Sequence, residues 1–209
     1  MTFANDNDGW IVKALSEARF ASYLVECGGD YAAAGRLYLW NIHASMAFYP
    51  LLHFAEITLR NALHQRLFAR FGRADWWAVA PLNEHGRRLV RQAQEKVTTP
   101  RSPQDSDATV AELTLGFWVS LMSRAYDRAL WVPALHRAFP NYQGRRSTLY
   151  ADLQQVLRLR NRVMHYEPIH RRDLIDDHTT IYRLFDCMSC DLPDVVRSVD
   201  QVPEVLRQR

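Results

Sequence analysis

Apolar residues recur at three- and four-residue spacings through most of the chain, and the strict alternation of a half-buried strand is nearly absent. That pattern predicts an all-α protein. Helices are expected near 12–26, 31–48, 51–71, 83–97, 109–125, 128–138, 147–166 and 178–189. Prolines at 50, 81, 133, 140, 168 and 193 fall near these boundaries, where a residue without a backbone N–H is best accommodated. One stretch breaks the rhythm: Thr98-Thr-Pro-Arg-Ser-Pro-Gln-Asp-Ser-Asp107 has turn formers and no apolar residue, so 98–108 is expected to be an exposed loop. The whole chain, 1–209, is expected to form one domain, with 192–209 a C-terminal tail that has room for a short helix after Pro193.

Placing residues about 100° apart around each helix axis separates the ordinary charges from the unusual ones. On 147–166, Leu149, Leu153, Val156, Leu157, Leu159, Val163 and Met164 form a broad apolar face. Arg160 falls near its centre, whereas Arg158 and Arg162 lie on the opposite, solvated side. On 51–71 the apolar face is Leu52, Ala55, Leu59, Leu63 and Leu67, with Glu56 in its middle and Arg60 at its edge. An unpaired charge on a core face is costly, so each must find a partner or open onto a cavity. The simplest arrangement sets the two helices face to face with Glu56 beside Arg160. Asn161 and His165, four residues apart, share a flank of the same face.

Composition adds bounds. With 48% apolar residues the chain can bury a core. It has no apolar run of bilayer length and no signal-peptide pattern, so a cytoplasmic protein without membrane contact is expected. The net charge of +3 permits nucleic-acid binding without demanding it. Only Lys13 and Lys96 are lysines, so the positive charge is almost wholly arginine, whose planar fork suits phosphate and carboxylate; a codon bias would give the same ratio. Three cysteines cannot pair completely, and reduced thiols are expected. Cys187-Met-Ser-Cys190 has metal-like spacing but no second pair, with His178 the nearest further candidate. Core packing is the expected role of these cysteines, and no metal or cofactor is expected. The tryptophans Trp76, Trp77, Trp118 and Trp131 are read as packing residues, although such rings can also stack on bases.

The chemistry concentrates in Leu157-Arg-Leu-Arg-Asn-Arg-Val-Met-His-Tyr-Glu-Pro168. Arg160 is a permanent cation, His165 can exchange a proton near neutral pH, and Asn161 can orient either by hydrogen bonding. Two interpretations are open. One is a structural ion pair, with Asn161 and His165 capping a helix end before Pro168. The other is a catalytic cluster in which Glu56 holds Arg160 for a phosphate while His165 moves protons.

The run Arg160-Asn-Arg-Val-Met-His165, an arginine and four residues before a histidine, resembles the signature of the HEPN superfamily of helical nucleases. The continuation His165-Tyr-Glu-Pro-Ile169 resembles the Abi-like, abortive-infection proteins within it. Further blocks look like that family in family order: Arg19-Phe-Ala-Ser-Tyr-Leu24, Gly28-Gly-Asp30 with Leu37-Tyr-Leu-Trp-Asn41, Glu56-Ile-Thr-Leu-Arg-Asn-Ala-Leu63, Asp75-Trp-Trp77, and Ala111-Glu-Leu-Thr-Leu-Gly-Phe-Trp118 with Leu130-Trp-Val-Pro-Ala-Leu135. The resemblance implies a HEPN-like helical bundle with additional helices, working as a homodimer whose two motif copies build one composite ribonuclease site. It implies metal-independent cleavage of an RNA substrate by attack of a 2′-hydroxyl, in a toxin or phage-defence effector with a protein or RNA antitoxin. Arg160, Asn161 and His165 are then the catalytic positions, with Glu56, Arg60, Asn61 and Glu167 supporting. In one group of the superfamily a tyrosine two positions after the histidine is modified by an antitoxin; Glu167 stands there in this chain, so that regulation is not expected. His64, in Arg60-Asn-Ala-Leu-His64, has only three intervening residues and is read as coincidental. The alternative function is a non-catalytic module of the same kind that binds RNA or a protein.

Overall fold

The structure is a computed structural model that describes residues 14–97 and 105–209. All regular structure among the described residues is helical, as the periodicity predicts. The frame is one long helix. We number the helices α1 (Glu17–Glu26), α2 (Tyr31–Phe71), α3 (Glu84–Val97), α4 (Ser106–Glu112), α5 (Leu115–Ser120), α6 (Arg146–Met164), α7 (Leu174–Met188), α8 (Leu192–Arg197) and α9 (Val202–Arg207). Short 3₁₀ turns lie at Trp76–Ala78, Arg124–Tyr126 and Leu135–Ala138.

The 41 residues of α2 span about 60 Å at a rise of about 1.5 Å each, and α1, α5, α6, α7, α8 and α9 all pack along it. Asp30 caps its start by accepting the Ala33 N–H at 3.0 Å. Gly72 ends it in the left-handed region (φ 69°), a conformation open to glycine at little cost, and donates back to the Phe68 carbonyl. The expected break at Pro50 does not occur, so 31–48 and 51–71 are one element. A mid-helix proline costs about 3 kcal/mol. Phe48, Leu51 and Leu52 flank it, all fully buried, and their packing offsets that loss. Met46, whose carbonyl loses its amide partner, is exposed to water.

Elsewhere the expected boundaries shift for local reasons. The 109–125 stretch divides into α4 and α5 at Leu113-Thr114, followed by a 3₁₀ turn. The 128–138 stretch contains a π turn at Asp127–Trp131, closed by Val132 N–H to the Asp127 carbonyl at 2.9 Å, and then the 3₁₀ turn after Pro133. Residues 98–104 of the expected loop lie outside the described residues. Its last part is already capped structure: Asp105 accepts the amides of Asp107 and Ala108, and α4 starts at Ser106. Residues 12 and 13 of the first expected helix also lie outside the described residues, and α1 begins at Glu17. Asp173 caps α7 earlier than expected, at Leu174. The C-terminal stretch is two short helices, each with proline in its first turn. It is docked by Trp40 Nε1 donating to the Val205 carbonyl and by Asp200, which accepts from Tyr182 and hydrogen-bonds His178.

The main core joins α2, α6 and α7 to an aromatic group of Trp76, Trp77, Phe117 and Trp118, all buried with adjacent rings in contact. These three tryptophans are packing residues. His64 belongs to the same packing, because its Nδ1 accepts from Trp76 Nε1 at 3.0 Å and burial lowers its pKa. A smaller cluster of Phe20, Tyr23 and Ala34 seats α1 against α2. No helix among the described residues is long and apolar enough to cross a membrane.

Candidate functional site

The apolar faces expected on the two central helices are the faces they bury. Leu52, Ala55, Leu59, Leu63 and Leu67 of α2 are buried, as are Leu149, Leu153, Val156, Leu159 and Val163 of α6. Glu56 and Arg160 therefore meet across the helix pair. Arg160 Nε and Nη2 donate to Glu56 Oε2 and Oε1 at 3.0 and 3.3 Å. Each side chain is 24% exposed, so the pair sits at the rim of the core. Such a two-bond clamp fixes the plane of the guanidinium and leaves Nη1 available.

Glu56 has a second task that the sequence does not reveal. Its Oε1 accepts the N–H of Leu115, the first residue of α5, at 3.2 Å. That amide has no partner within its own helix, so the carboxylate ties three elements together. The break at Leu113-Thr114 is what turns this amide toward Glu56; a single helix over 109–125 would have consumed it internally.

Arg160 lies on the last turn and a half of α6, and that helix ends in a Schellman arrangement. The Tyr166 N–H donates to the Val163 carbonyl at 3.2 Å, the Glu167 N–H to the Arg162 carbonyl at 2.8 Å, and Tyr166 takes φ 58°. Asn161, His165, Tyr166 and Glu167 are all exposed, as are Arg158 and Arg162. The His165 N–H donates to the Asn161 carbonyl at 2.9 Å, but among the described residues neither side chain has a hydrogen-bond partner. Arg60 and Asn61 face one another on α2, with Arg60 Nε donating to Asn61 Oδ1 at 3.2 Å. Nothing described links Arg60, Asn61 or Glu167 to Arg160.

A left-handed tyrosine costs about 1–2 kcal/mol that glycine would not. Tyr166→Gly is therefore expected to leave stability unchanged or raise it by up to about 1 kcal/mol, the gain being trimmed by the added freedom of the unfolded chain. Tyr166→Val, with a β-branch in the same conformation, is expected to lower it by about 1 kcal/mol. Urea midpoints in the three proteins check the order.

Asn41 is the positioning residue that motif reading missed. It is 5% exposed and its Oδ1 accepts the amides of both Ile169 and His170, at 2.8 and 3.1 Å. This pins the chain just after the motif to α2. The available signal was an asparagine set among Trp40, Ala44 and Phe48 on a buried helical face, where a polar side chain needs a backbone partner. Beside it opens a cleft of about 580 Å3, lined by Tyr23, Tyr38, Ile42, Met46, Tyr49 and Tyr166 among others. Ile42, Met46, Tyr49 and Tyr166 leave apolar surface open to solvent around this cleft, which Val163 and Met164 at the end of α6 also line.

His170 is fully buried against the Tyr23 ring, 4.6 Å between centroids, and neither ring nitrogen is hydrogen-bonded. Burial lowers its pKa, and the Arg171 charge adds to this while Glu26 opposes it. The unfolded chain therefore binds protons on this histidine before the folded chain does. Stability is fully present above the ordinary histidine range and falls as pH drops below about 6.5. Thermal melting between about pH 7 and about pH 5 is expected to show a smaller decline in His170→Phe than in wild type. His64 contributes a further decline of the same sign.

Cys187 is buried and Cys190 exposed; both are free, and Asn141 Nδ2 donates to Cys190 Sγ at 3.2 Å. His178 is turned away from them, toward Asp200 at 2.7 Å. No group of three or more His, Cys, Asp or Glu that could hold a metal ion occurs among the described residues. No protein-family model, curated protein or solved structure matches the chain.

Proposed function

We propose that the chain is an Abi-like endoribonuclease of the HEPN type, acting as a homodimer with a composite site built from Arg160, Asn161 and His165 of each copy. The observation that carries this reading is the Glu56 clamp on Arg160, on the helix that also presents exposed Asn161 and His165 at its end. A guanidinium held in a fixed plane is suited to the charge that grows on phosphorane oxygens, because it need not reorganise as the charge appears. His165 removes the proton of an RNA 2′-hydroxyl, whose oxygen attacks the adjacent phosphorus. The bond from phosphorus to the 5′-oxygen breaks, and the leaving oxygen takes a proton from the second copy's imidazolium. The products are a cyclic phosphate and a 5′-hydroxyl.

The apolar side chains exposed around the cleft at the end of α6 support the dimer, since a second copy would cover them while bringing the two motifs together. Among the described residues nothing orients the His165 ring, and a second copy would supply that contact. The same lack of an orienting partner favours one other reading, a module that binds RNA or a protein without cutting it. In the nuclease reading the biological role is a toxin or phage-defence effector, restrained by a protein or RNA antitoxin. Incubating RNA with the chain in the presence of a chelator separates the readings. Cleavage leaving cyclic-phosphate ends supports the nuclease. Binding without cleavage, or cleavage that stops when metal is removed, would sink it.

A further inference from the structure

We propose that a second site, at the far end of α2 from His165, binds a single-stranded nucleic acid through its phosphates and one base. Arg66 and Arg70 project from the last turns of α2, and Arg137 from the 3₁₀ turn packed against it, around one hollow of about 210 Å3. All three are exposed, and none pairs with a carboxylate among the described residues. Arg137 also lines the adjoining recess, about 660 Å3, whose other walls include Trp131, His136 and Tyr142. No acidic side chain lines either space.

The walls are held in place before anything binds. His136 Nδ1 lies 3.1 Å from the Trp131 carbonyl, with its ring edge-on to the indole at 6.2 Å. Tyr142 Oη donates to the Arg145 carbonyl at 2.9 Å. A Cβ at Gly144 would run into the Tyr142 ring, so glycine at that position is what lets the phenol lie where it does. Arg70 is steadied over the Phe71 ring at 5.5 Å. Three exposed cations beside half-buried aromatic rings match a phosphodiester chain with a splayed base, which needs charge along its backbone and a flat surface for stacking. A duplex hides its bases from such rings, and a simple polyanion has none. The recess is in the size range of small-ligand sites. From Glu56 to Arg66 is ten residues of helix, about 15 Å, so one strand of several nucleotides can reach both sites. The proposal concerns binding alone and does not depend on cleavage at His165.

The test uses the full chain and a short fluorescent RNA made uncleavable by 2′-O-methylation, with DNA of the same sequence, its duplex, and inorganic polyphosphate as comparisons. The triple variant Arg66→Ala/Arg70→Ala/Arg137→Ala is expected to reduce the slope of log affinity against log salt by about 2, at about 0.7 per lost phosphate contact. Tyr142→Ala is expected to weaken single-strand binding roughly 5- to 150-fold, the range for losing one base stack, while leaving polyphosphate binding intact. Equal affinity for DNA supports recognition by phosphate and base without the 2′-hydroxyl, and tighter binding of RNA supports the same site with that contact added. An unchanged salt slope, equal loss of polyphosphate binding in Tyr142→Ala, or duplex bound as tightly as single strand would each overturn the proposal. Melting curves confirm that each variant folds. Absent cleavage with these binding effects intact would remove the nuclease and leave this site standing.

Discussion

His165→Ala is expected to lower RNA cleavage by about 10²–10⁴-fold, the range for removing a positioned general acid or base. Stability is expected to change by no more than about 0.5 kcal/mol, because the ring is exposed and makes no hydrogen bond to the described residues. This split makes the experiment decisive. A core histidine would lose both quantities together, as expected for His64, which accepts from Trp76. In a composite site each subunit contributes one imidazole, so a mixture of wild type and His165→Ala should lose activity out of proportion to the fraction replaced. Cleavage rates across mixing ratios, beside melting temperatures of each pure protein, check both statements. A proportional loss would sink the composite site, and full activity in pure His165→Ala would sink the mechanism.

Glu56→Ala is expected to lower stability by about 2–3 kcal/mol. This falls below the usual cost for breaking a fully buried ion pair, about 3–5 kcal/mol, because both partners keep some contact with water. The change removes both hydrogen bonds to Arg160 and the acceptor of the Leu115 amide, so the start of α5 and the C-terminal part of α6 loosen together. Glu56→Gln keeps an acceptor oxygen but loses the charge, and is expected to cost less than half as much. If Arg160 stabilises developing phosphate charge, Glu56→Gln should cut cleavage by more than its stability loss explains, through a lower kcat with little change in KM. Denaturant midpoints and steady-state kinetics in the two variants separate the structural role from the catalytic one.

The ion pair is the case where sequence reading reached furthest into the tertiary structure. Two charges each fell at the centre of an apolar helical face, and the cost of burying either alone left mutual pairing as the simplest solution. The same reasoning placed Arg158 and Arg162 in solvent, where they are found. It did not reach Asn41 or the Leu115 amide, because both hydrogen-bond to partners far away in sequence and periodicity carries no information about those. It also set Asn161 and His165 at the flank of the buried face, and the fold leaves them open to solvent at the end of α6.

What the chain determined by itself is the helical class, the inward faces of α2 and α6, and the identity of the two charges those faces must reconcile. Each follows from residue spacing and solvation cost, which are local. Only the tertiary structure decided that α2 passes through Pro50, that 109–125 divides so that an amide meets Glu56, and that the C-terminal stretch docks on Trp40 of α2 and on His178 and Tyr182 of α7. Local preference at each of these points is worth a few kcal/mol at most, and burial of side chains such as Phe48, Leu51 and Trp118 outweighs it.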